Sequence, residues 1–418
     1  MTRALPALLT VLVLFSLPAT VLVGADTEVG TGTQSDGQQT AQQQTPVTVE
    51  NTTNRLPLEG ETMGGYVEHT PDLGTALANA DDKLRIDHEQ YVIVESEFDE
   101  ASADEREAMI EAAYNRTQNR TEALEERERD AIEAYVAGEQ SETEVLGTIA
   151  RNYHEAVLLD EAINDLETKS YRTSGYSLPS DRMRADRTIL EAHRTELRAG
   201  IATTSDSETY SVLFEASANA SGYRLSAIDG SNYLTETVRF DNRDPTQPDQ
   251  FAEYESIDRA DSLYPWAADS ISGDFPSSQD HSTLKNLYWI EYAHEKGNLE
   301  VYLDGGTGHV YREVQVLSVG SLPVAGERTH SEDGIELSLD ETPANGPAEI
   351  TVVDSATDEP ESATISIDGF EIGTTDPDDG THWIVPPSGG EYELQVETPS
   401  ETLNVTVSSA DFRSNTSR

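Results

Sequence analysis

The sequence predicts a multidomain α + β protein: an N-terminal antiparallel helical bundle, a central α+β unit with an antiparallel sheet, and a C-terminal β-sandwich. Three observations carry this. Between Asp72 and Gly200, apolar residues recur at alternating four- and three-residue steps, the spacing of helix seams. Beyond Gly200 the period changes to two, with an Asp229–Gly230 turn between alternating runs. From about Ala348, short alternating strands are punctuated by Gly, Pro and Asp turns, as in a sandwich.

Taken in order, residues 1–25 read as a secretory signal: Arg3, an apolar run from Ala4 to Val23, and the small residues Val23–Gly24–Ala25. Cleavage is expected after Ala25. Left uncut, residues 4–23 are long enough to anchor the chain in a membrane. Residues 26–65, rich in Gln, Thr and Gly, offer few groups to offset ordering entropy and are expected to form a disordered tether.

The helical bundle is assigned to residues 66–203. Its first seam is Leu73, Leu77, Ala80, Leu84, Asp87, Tyr91, Val94 and Phe98. A capping box, Ser102 with Glu105, opens the second helix, with seam Ile110, Tyr114, Thr117, Thr121, Leu124, Glu128, Ala131 and Tyr135. Ser141 with Glu144 opens the third, with Val145, Ile149, Asn152, Ala156, Leu159, Ile163 and Leu166. Pro179–Ser180–Asp181 starts a fourth, burying Met183, Leu190 and Leu197 and stopping at Gly200. Each long seam carries one polar interruption: Asp87, Glu128 and Asn152. Such a layer binds an ion or switches state in one reading; in the other, which we adopt, each residue sets register or sits at a frayed, solvated part of its seam.

The central unit, residues 205–322, contains strands around Tyr210–Phe214, Tyr223–Ala227 and Tyr233–Phe240. A helix is expected over Phe251–Trp266, followed by strands Leu287–Tyr292, Leu299–Leu303 and His309–Val319. The aromatics Tyr288, Trp289, Tyr292, Tyr302 and Tyr311 are expected in its core rather than on a binding face. The sandwich is placed at residues 331–410 and a flexible tail at 411–418.

Composition narrows the function. Asp plus Glu number 79 against 27 Lys plus Arg, a formal charge of −52, and only 4 of the 27 are Lys. A carboxylate-rich surface of this kind suits concentrated salt, where self-repulsion is screened. Without a basic patch, binding to a nucleic-acid backbone is not expected. The absence of cysteine excludes disulfides, thiol catalysis and cysteine-held zinc.

The nine histidines form no close metal-ligand pair, and His88, His154 and His193 read as surface or boundary residues. The run Asp376-Pro-Asp-Asp-Gly380 has its Gly one position early for a calcium loop and reads as a turn before the Trp383 strand. No nucleophile elbow or phosphate loop occurs. No catalytic residue, cofactor or metal is therefore assigned. Six Asn-x-Ser/Thr sequons are candidate N-glycosylation sites: Asn51, Asn115, Asn119, Asn219, Asn404 and Asn415.

Three resemblances add to this. The run from Leu299 to Tyr311, Leu-Glu-Val-Tyr-Leu-Asp-Gly-Gly-Thr-Gly-His-Val-Tyr, resembles the strand–turn–strand of PepSY-type domains, which implies a module proposed to inhibit proteases. Ile350–Pro360, the strand Ala363–Ile367, Thr374–Trp383, Gly390–Val396 and Leu403–Val407 together resemble a carboxypeptidase regulatory-like (transthyretin-like) sandwich, an accessory module without catalytic residues. The whole arrangement, including Glu126–Gly138, resembles haloarchaeal secreted proteins of unknown function, which implies location and not activity.

The reading that follows is an exported, non-enzymatic structural or interaction protein at a halophile's cell surface, with a protein partner in the envelope. The alternatives are a regulator of an extracellular protease acting through residues 205–320, and a hydrolase with an unrecognised carboxylate site.

Overall fold

The computed structural model describes residues 45–70, 73–90, 94, 97–203, 210–252, 254–272, 277–279, 285–332 and 334–408. The expected signal and anchor segment, Tyr91 and Asn415 lie outside the described residues. The mixed α + β architecture is as the sequence predicts: among the described residues there are seven helices and three antiparallel sheets.

The two long helices form where their caps and seams place them. Helix α2, Ala103–Val136, follows N-cap Ser102, and α3, Glu142–Tyr171, follows N-cap Ser141; both capping boxes are complete. Every residue of both expected seams is buried, Glu128 and Asn152 included. Gly138, at φ 74°, takes the left-handed conformation just past the end of α2, where glycine carries no steric penalty.

Helix α1, Leu73–Gln90, departs from expectation. Its apolar seam faces solvent, with Leu73 75%, Leu77 61% and Leu84 68% exposed, and Asp82 and Ile86 form the buried face instead. An ion pair decides the rotation: Asp82 meets Arg151 of α3 (Nε–Oδ2 2.6 Å) and Arg120 of α2 (3.0 Å). Burying Leu77 and Leu84 instead would turn Asp82 away from both guanidiniums. The helix ends at Gln90, and Val94 and Phe98 are buried beyond it.

The expected fourth helix is two. Helix α4, Ser180–Ala192, stops at His193, and α5, Glu196–Thr203, restarts after Thr195, whose hydroxyl accepts the Arg198 N–H at 3.3 Å. Gly200 lies inside α5, where a Cβ would meet the Tyr210 ring at 2.5 Å. Its role is close approach rather than termination.

The central sheet has eight strands in the order β1-β2-β3-β4-β8-β7-β6-β5. They are β1 Thr62–His69, β2 Tyr210–Ser217, β3 Gly222–Asp229, β4 Asn232–Arg239, β5 Ser277–Gln279, β6 Leu287–His294, β7 Gly297–Asp304 and β8 Val310–Ser318. The Asp229–Gly230 hairpin pairs as expected, Asp229 opposite Asn232. Strand β1 has no precedent in the sequence reading: it comes from the segment assigned to tether and bundle, yet pairs along the whole of β2.

Both faces of this sheet are covered. One packs Val212, Phe214, Tyr223, Leu234 and Val238 against Ile132, Tyr135, Val145, Ile149 and Ile201 of α2, α3 and α5. The other packs Tyr288, Tyr292, Leu299 and Val301 against α6, Glu255–Leu263, and α7, Pro265–Asp269. The single helix expected over Phe251–Trp266 is split because Pro265 begins α7 at a first helical position. Tyr288, Tyr292, Tyr302 and Tyr311 are all buried in the core, as expected.

The tether expected over residues 26–65 is corrected over its second part. Residues 47–58 lie across the second sheet face, with Leu56 and Thr52 to Arg55 buried. Glu313 accepts the Leu56 N–H at 2.8 Å, Gln315 donates to the Asn54 carbonyl at 2.9 Å, and Asn54 donates to the Leu263 carbonyl at 2.7 Å. These polar groups are ordered because buried partners from the sheet and α6 satisfy them.

The C-terminal part is a sandwich of two four-stranded sheets, β14-β11-β10-β9 and β13-β12-β15-β16. Its strands are β9 Gly326–Glu332, β10 Ile335–Glu341, β11 Ala348–Asp354, β12 Thr364–Ile367, β13 Phe370–Thr374, β14 Thr381–Ile384, β15 Glu391–Glu397 and β16 Thr402–Ser408. Asp376–Gly380 forms a turn before β14, with the Gly380 N–H on the Asp376 carbonyl at 2.7 Å. The sandwich is fastened to the central sheet. The Tyr66 hydroxyl donates to the Val385 carbonyl and accepts the Val385 N–H at 3.2 Å. Glu215 accepts the Ser388 N–H at 2.8 Å, and Arg55 donates to the Ala344 carbonyl at 2.7 Å.

Candidate functional site

Where helices meet sheet, four charged side chains are removed from solvent together. Glu128 (α2), Arg198 (α5), Glu236 (β4) and Arg312 (β8) are each no more than 1% exposed. Leu234, Glu236 and Val238 share the helix-facing side of β4, so Glu236 points into the interface. Arg312 reaches it through a β-bulge: Tyr302 pairs with Arg312 and Leu303 with Val310, leaving Tyr311 as the extra residue.

Glu128 is the hub. One carboxylate oxygen accepts from Tyr223 Oη at 2.6 Å, Arg312 Nη2 at 2.8 Å and Arg198 Nη2 at 3.1 Å; the other accepts from Arg198 Nη1 at 2.7 Å. Glu236 receives Arg198 Nη2 at 2.6 Å and Nε at 2.9 Å, and Thr195 Oγ1 at 2.9 Å. Arg312 Nη1 lies 3.2 Å from Glu236 and also donates to the Ala192 carbonyl. Arg198 makes two directed bonds to each carboxylate through its planar fork, which an ammonium cannot do.

The formal charges of the four cancel, and that balance explains the electrostatics. Burial alone would raise Glu128, but the Arg198 and Arg312 guanidiniums outweigh it and hold the carboxyl well below its usual range. Burial works against the Arg198 charge, and Glu128 and Glu236 overcome it. His193 completes the shell with Nδ1 3.1 Å from Arg198 Nη1. Burial pushes it down to about 4, against the pull of Glu128. The imidazole is therefore neutral near pH 7, and its Nδ1 also lies 3.3 Å from Glu128 Oε2. It is a buried residue, not the surface or boundary residue expected.

A second charged layer lies between α1, α2 and α3. Glu155 meets Arg120 at 2.6 Å and Arg127 at 2.7 Å, and Asp82 meets Arg151 and Arg120. For Asp82, burial raises the pKa, and the Arg151 hydrogen bond with its neighbouring charges more than reverses this. Asn152 accepts from Arg127 at 2.8 Å and donates to the Leu124 carbonyl at 2.9 Å. The three seam interruptions thus separate. Glu128 and Asn152 join buried networks, whereas Asp87 is exposed and pairs with Lys83 at 3.3 Å.

Sequence reasoning missed Arg198, Glu236 and Arg312. A signal existed: Glu236 and Arg312 each stand on the apolar side of a strand, between Leu234 and Val238 and before Val314. A charge in that position marks a buried pair, but not its partner.

Of the candidate glycosylation sites, Asn115 and Asn119 are exposed on α2, Asn51 and Asn219 lie exposed in turns, and Asn404 is exposed on β16. They are not brought together.

An α-helical layer clasped to an antiparallel sheet, followed by a C-terminal β-sandwich, is consistent with the family models the chain matches, those of an archaeal family of unknown function. The chain belongs to the family described as a domain of unknown function, DUF7096, which it matches over residues 1–210. It further matches a family of unknown function, DUF7094, over residues 214–323, and an archaeal fibronectin-III type-like domain over residues 326–405. No curated protein and no solved structure matches the chain. The boundary between the first two matches falls within β2, and the buried tetrad draws two residues from each side of it.

Proposed function

We propose that this protein is an exported, non-enzymatic scaffold at an archaeal cell surface, built to present its C-terminal sandwich to a protein partner in concentrated salt. One observation carries the reading: the opposite charges of the buried tetrad between helices and sheet are paired with one another. Two carboxylates and two guanidiniums cancel and share their hydrogen bonds, so they act as a clasp between helices and sheet. The sandwich is held at Tyr66 and Glu215 as a fixed extension of the same body. The apolar run 4–23 and the charge of −52 support export and a saline setting. Among the described residues no helix is long and apolar enough to cross a membrane.

The test is crosslinking on living cells in their native salt, followed by capture of the tagged chain. Recovery of envelope proteins through the sandwich supports the scaffold. A chain found only in the cytoplasm sinks it. Dilution into low salt should loosen the fold as surface carboxylates lose their screening.

A second reading, regulation of an extracellular protease through residues 205–320, rests on the PepSY-like hairpin, which forms as β7 and β8. It ranks lower because both faces of that sheet are covered by the chain itself. Slowed proteolysis by the full chain would raise it. Turnover of a peptide, ester or glycan panel would instead favour the hydrolase.

A further inference from the structure

We infer that, among the described sequons, Asn404 is the N-glycan acceptor of the folded protein, and that the glycan covers an otherwise unprotected sheet edge. This rests on the surface reading above, since the modification needs exposure to a glycan-transfer enzyme outside the cytoplasm.

The first argument is access. A sequon is read through two groups at once, the Asn carboxamide and the hydroxyl two residues on. In five of the six sequons the described residues settle whether both are reachable. On α2, Asn115 and Asn119 are exposed, but the hydroxyls they need are not. Thr117 is 3% exposed and bonded to the Ala113 carbonyl; Thr121 is 0% exposed and bonded to the Thr117 carbonyl. The partner of Asn51 is Thr53, 1% exposed and bonded to the Asn54 carbonyl. Asn219 accepts the Ser221 N–H at 3.0 Å, and the Ser221 hydroxyl oxygen is shut off from solvent. In β16, by contrast, Asn404 and Thr406 both lie on the solvent face, while Leu403, Val405 and Val407 point into the core. The segment is extended, and among the described residues no strand lies beyond it in the sheet.

The second argument is independent of the motif. Strand β16, Thr402-Leu-Asn-Val-Thr-Val-Ser408, is an edge strand with no charged residue and no proline, in a chain of net charge −52. Alternating, uncharged and rich in β-branched residues, it is the kind of edge that templates strand addition, which proteins block with charge, proline or a cover. One edge of the opposite sheet, β9, carries Glu327, Arg328 and Glu332 instead; its other edge, β14, is only four residues long. A glycan at Asn404 supplies the missing cover.

In the reaction the Asn404 Nδ2 bonds to C1 of a sugar carried as a phosphate ester. The C1–O bond to phosphate breaks, the phosphate leaves with the electron pair, and an amide proton passes to a base of the transfer enzyme.

The experiment is glycopeptide mass spectrometry on full-length protein secreted by an archaeal host that N-glycosylates, alongside Asn404→Gln, Thr406→Val and Thr406→Ser. We expect a mass increment on the Asn404 peptide, lost completely in Asn404→Gln and Thr406→Val and retained in Thr406→Ser. Recovered unglycosylated, both loss variants should self-associate more than the parent in light scattering. An exported chain with Asn404 unmodified, or modified at Asn115 or Asn119 instead, overturns the inference. A chain retained inside the cell overturns the surface reading, and this inference with it.

Discussion

Glu128 and Arg312 lie 184 positions apart and meet at 2.8 Å with neither side chain more than 1% exposed. The first belongs to a helix matched by one family and the second to a strand matched by another. Their contact ties the helical layer to the sheet.

Removing one partner leaves the other buried and uncompensated. Arg312→Met should cost about 3–5 kcal/mol, whereas replacing the whole tetrad with apolar residues of similar volume should be close to neutral. Denaturant titration at constant high salt measures both. A cost under 1 kcal/mol for Arg312→Met would refute the clasp.

Cutting the chain between 203 and 210 tests the same joint without mutation. Neither fragment should unfold cooperatively alone, because each exposes half of a shared core. Co-expressed, they should copurify as a complex with the parent's circular dichroism. Two independently folded fragments would contradict this.

Opposite pH dependences are expected on the two sides of the sheet. Glu313 is raised to about 7 by burial, against hydrogen bonds from Tyr264 and the Leu56 N–H and the charges of Arg55 and Arg224. A carboxyl raised on folding favours the folded state below its ordinary pKa, and that contribution disappears as pH rises through about 7. Glu313→Gln should therefore flatten the stability profile between about 4.5 and 7. On the helix side, Glu128 and His193 are both depressed on folding. Their contribution is present above the unfolded pKa values and is lost as pH falls, from about 6.5 for the histidine and about 4.5 for the carboxyl. Hydrogen exchange at Leu56 and in α5 as a function of pH separates the two.

Helix α1 offers a contrast within one element. Leu77→Gln or Leu84→Gln, on the exposed stripe, should change stability by no more than about 0.5 kcal/mol. Ile86→Ala, on the buried face, should cost about 2–5 kcal/mol. Equal costs at all three would restore the seam the sequence suggests.

That helix also shows where sequence reading stops. Its apolar spacing is as regular as in α2 or α3, yet it is the wrong face, because Asp82 has two arginine partners contributed by other helices. Strand β1 was illegible for a related reason: Gly64 and Gly65 weaken any alternating pattern, and pairing with β2 lies more than a hundred residues away. The buried segment 47–58 has the polar composition of a tether and is ordered only by distant partners. The hairpins, by contrast, were readable because their turns and registers are local.

By itself, the sequence determined what short-range chemistry controls: the caps at Ser102 and Ser141, the seams of α2 and α3, the Asp229–Gly230 hairpin and the sandwich strands. Tertiary structure alone decided which face of α1 is buried, that the helices α2, α3 and α5 join the central sheet across one interface, and that Glu128 is a hub. Those outcomes depend on ion pairs between residues brought together from distant parts of the chain. Their energies arise only once burial has removed water from both partners, and no local period encodes that.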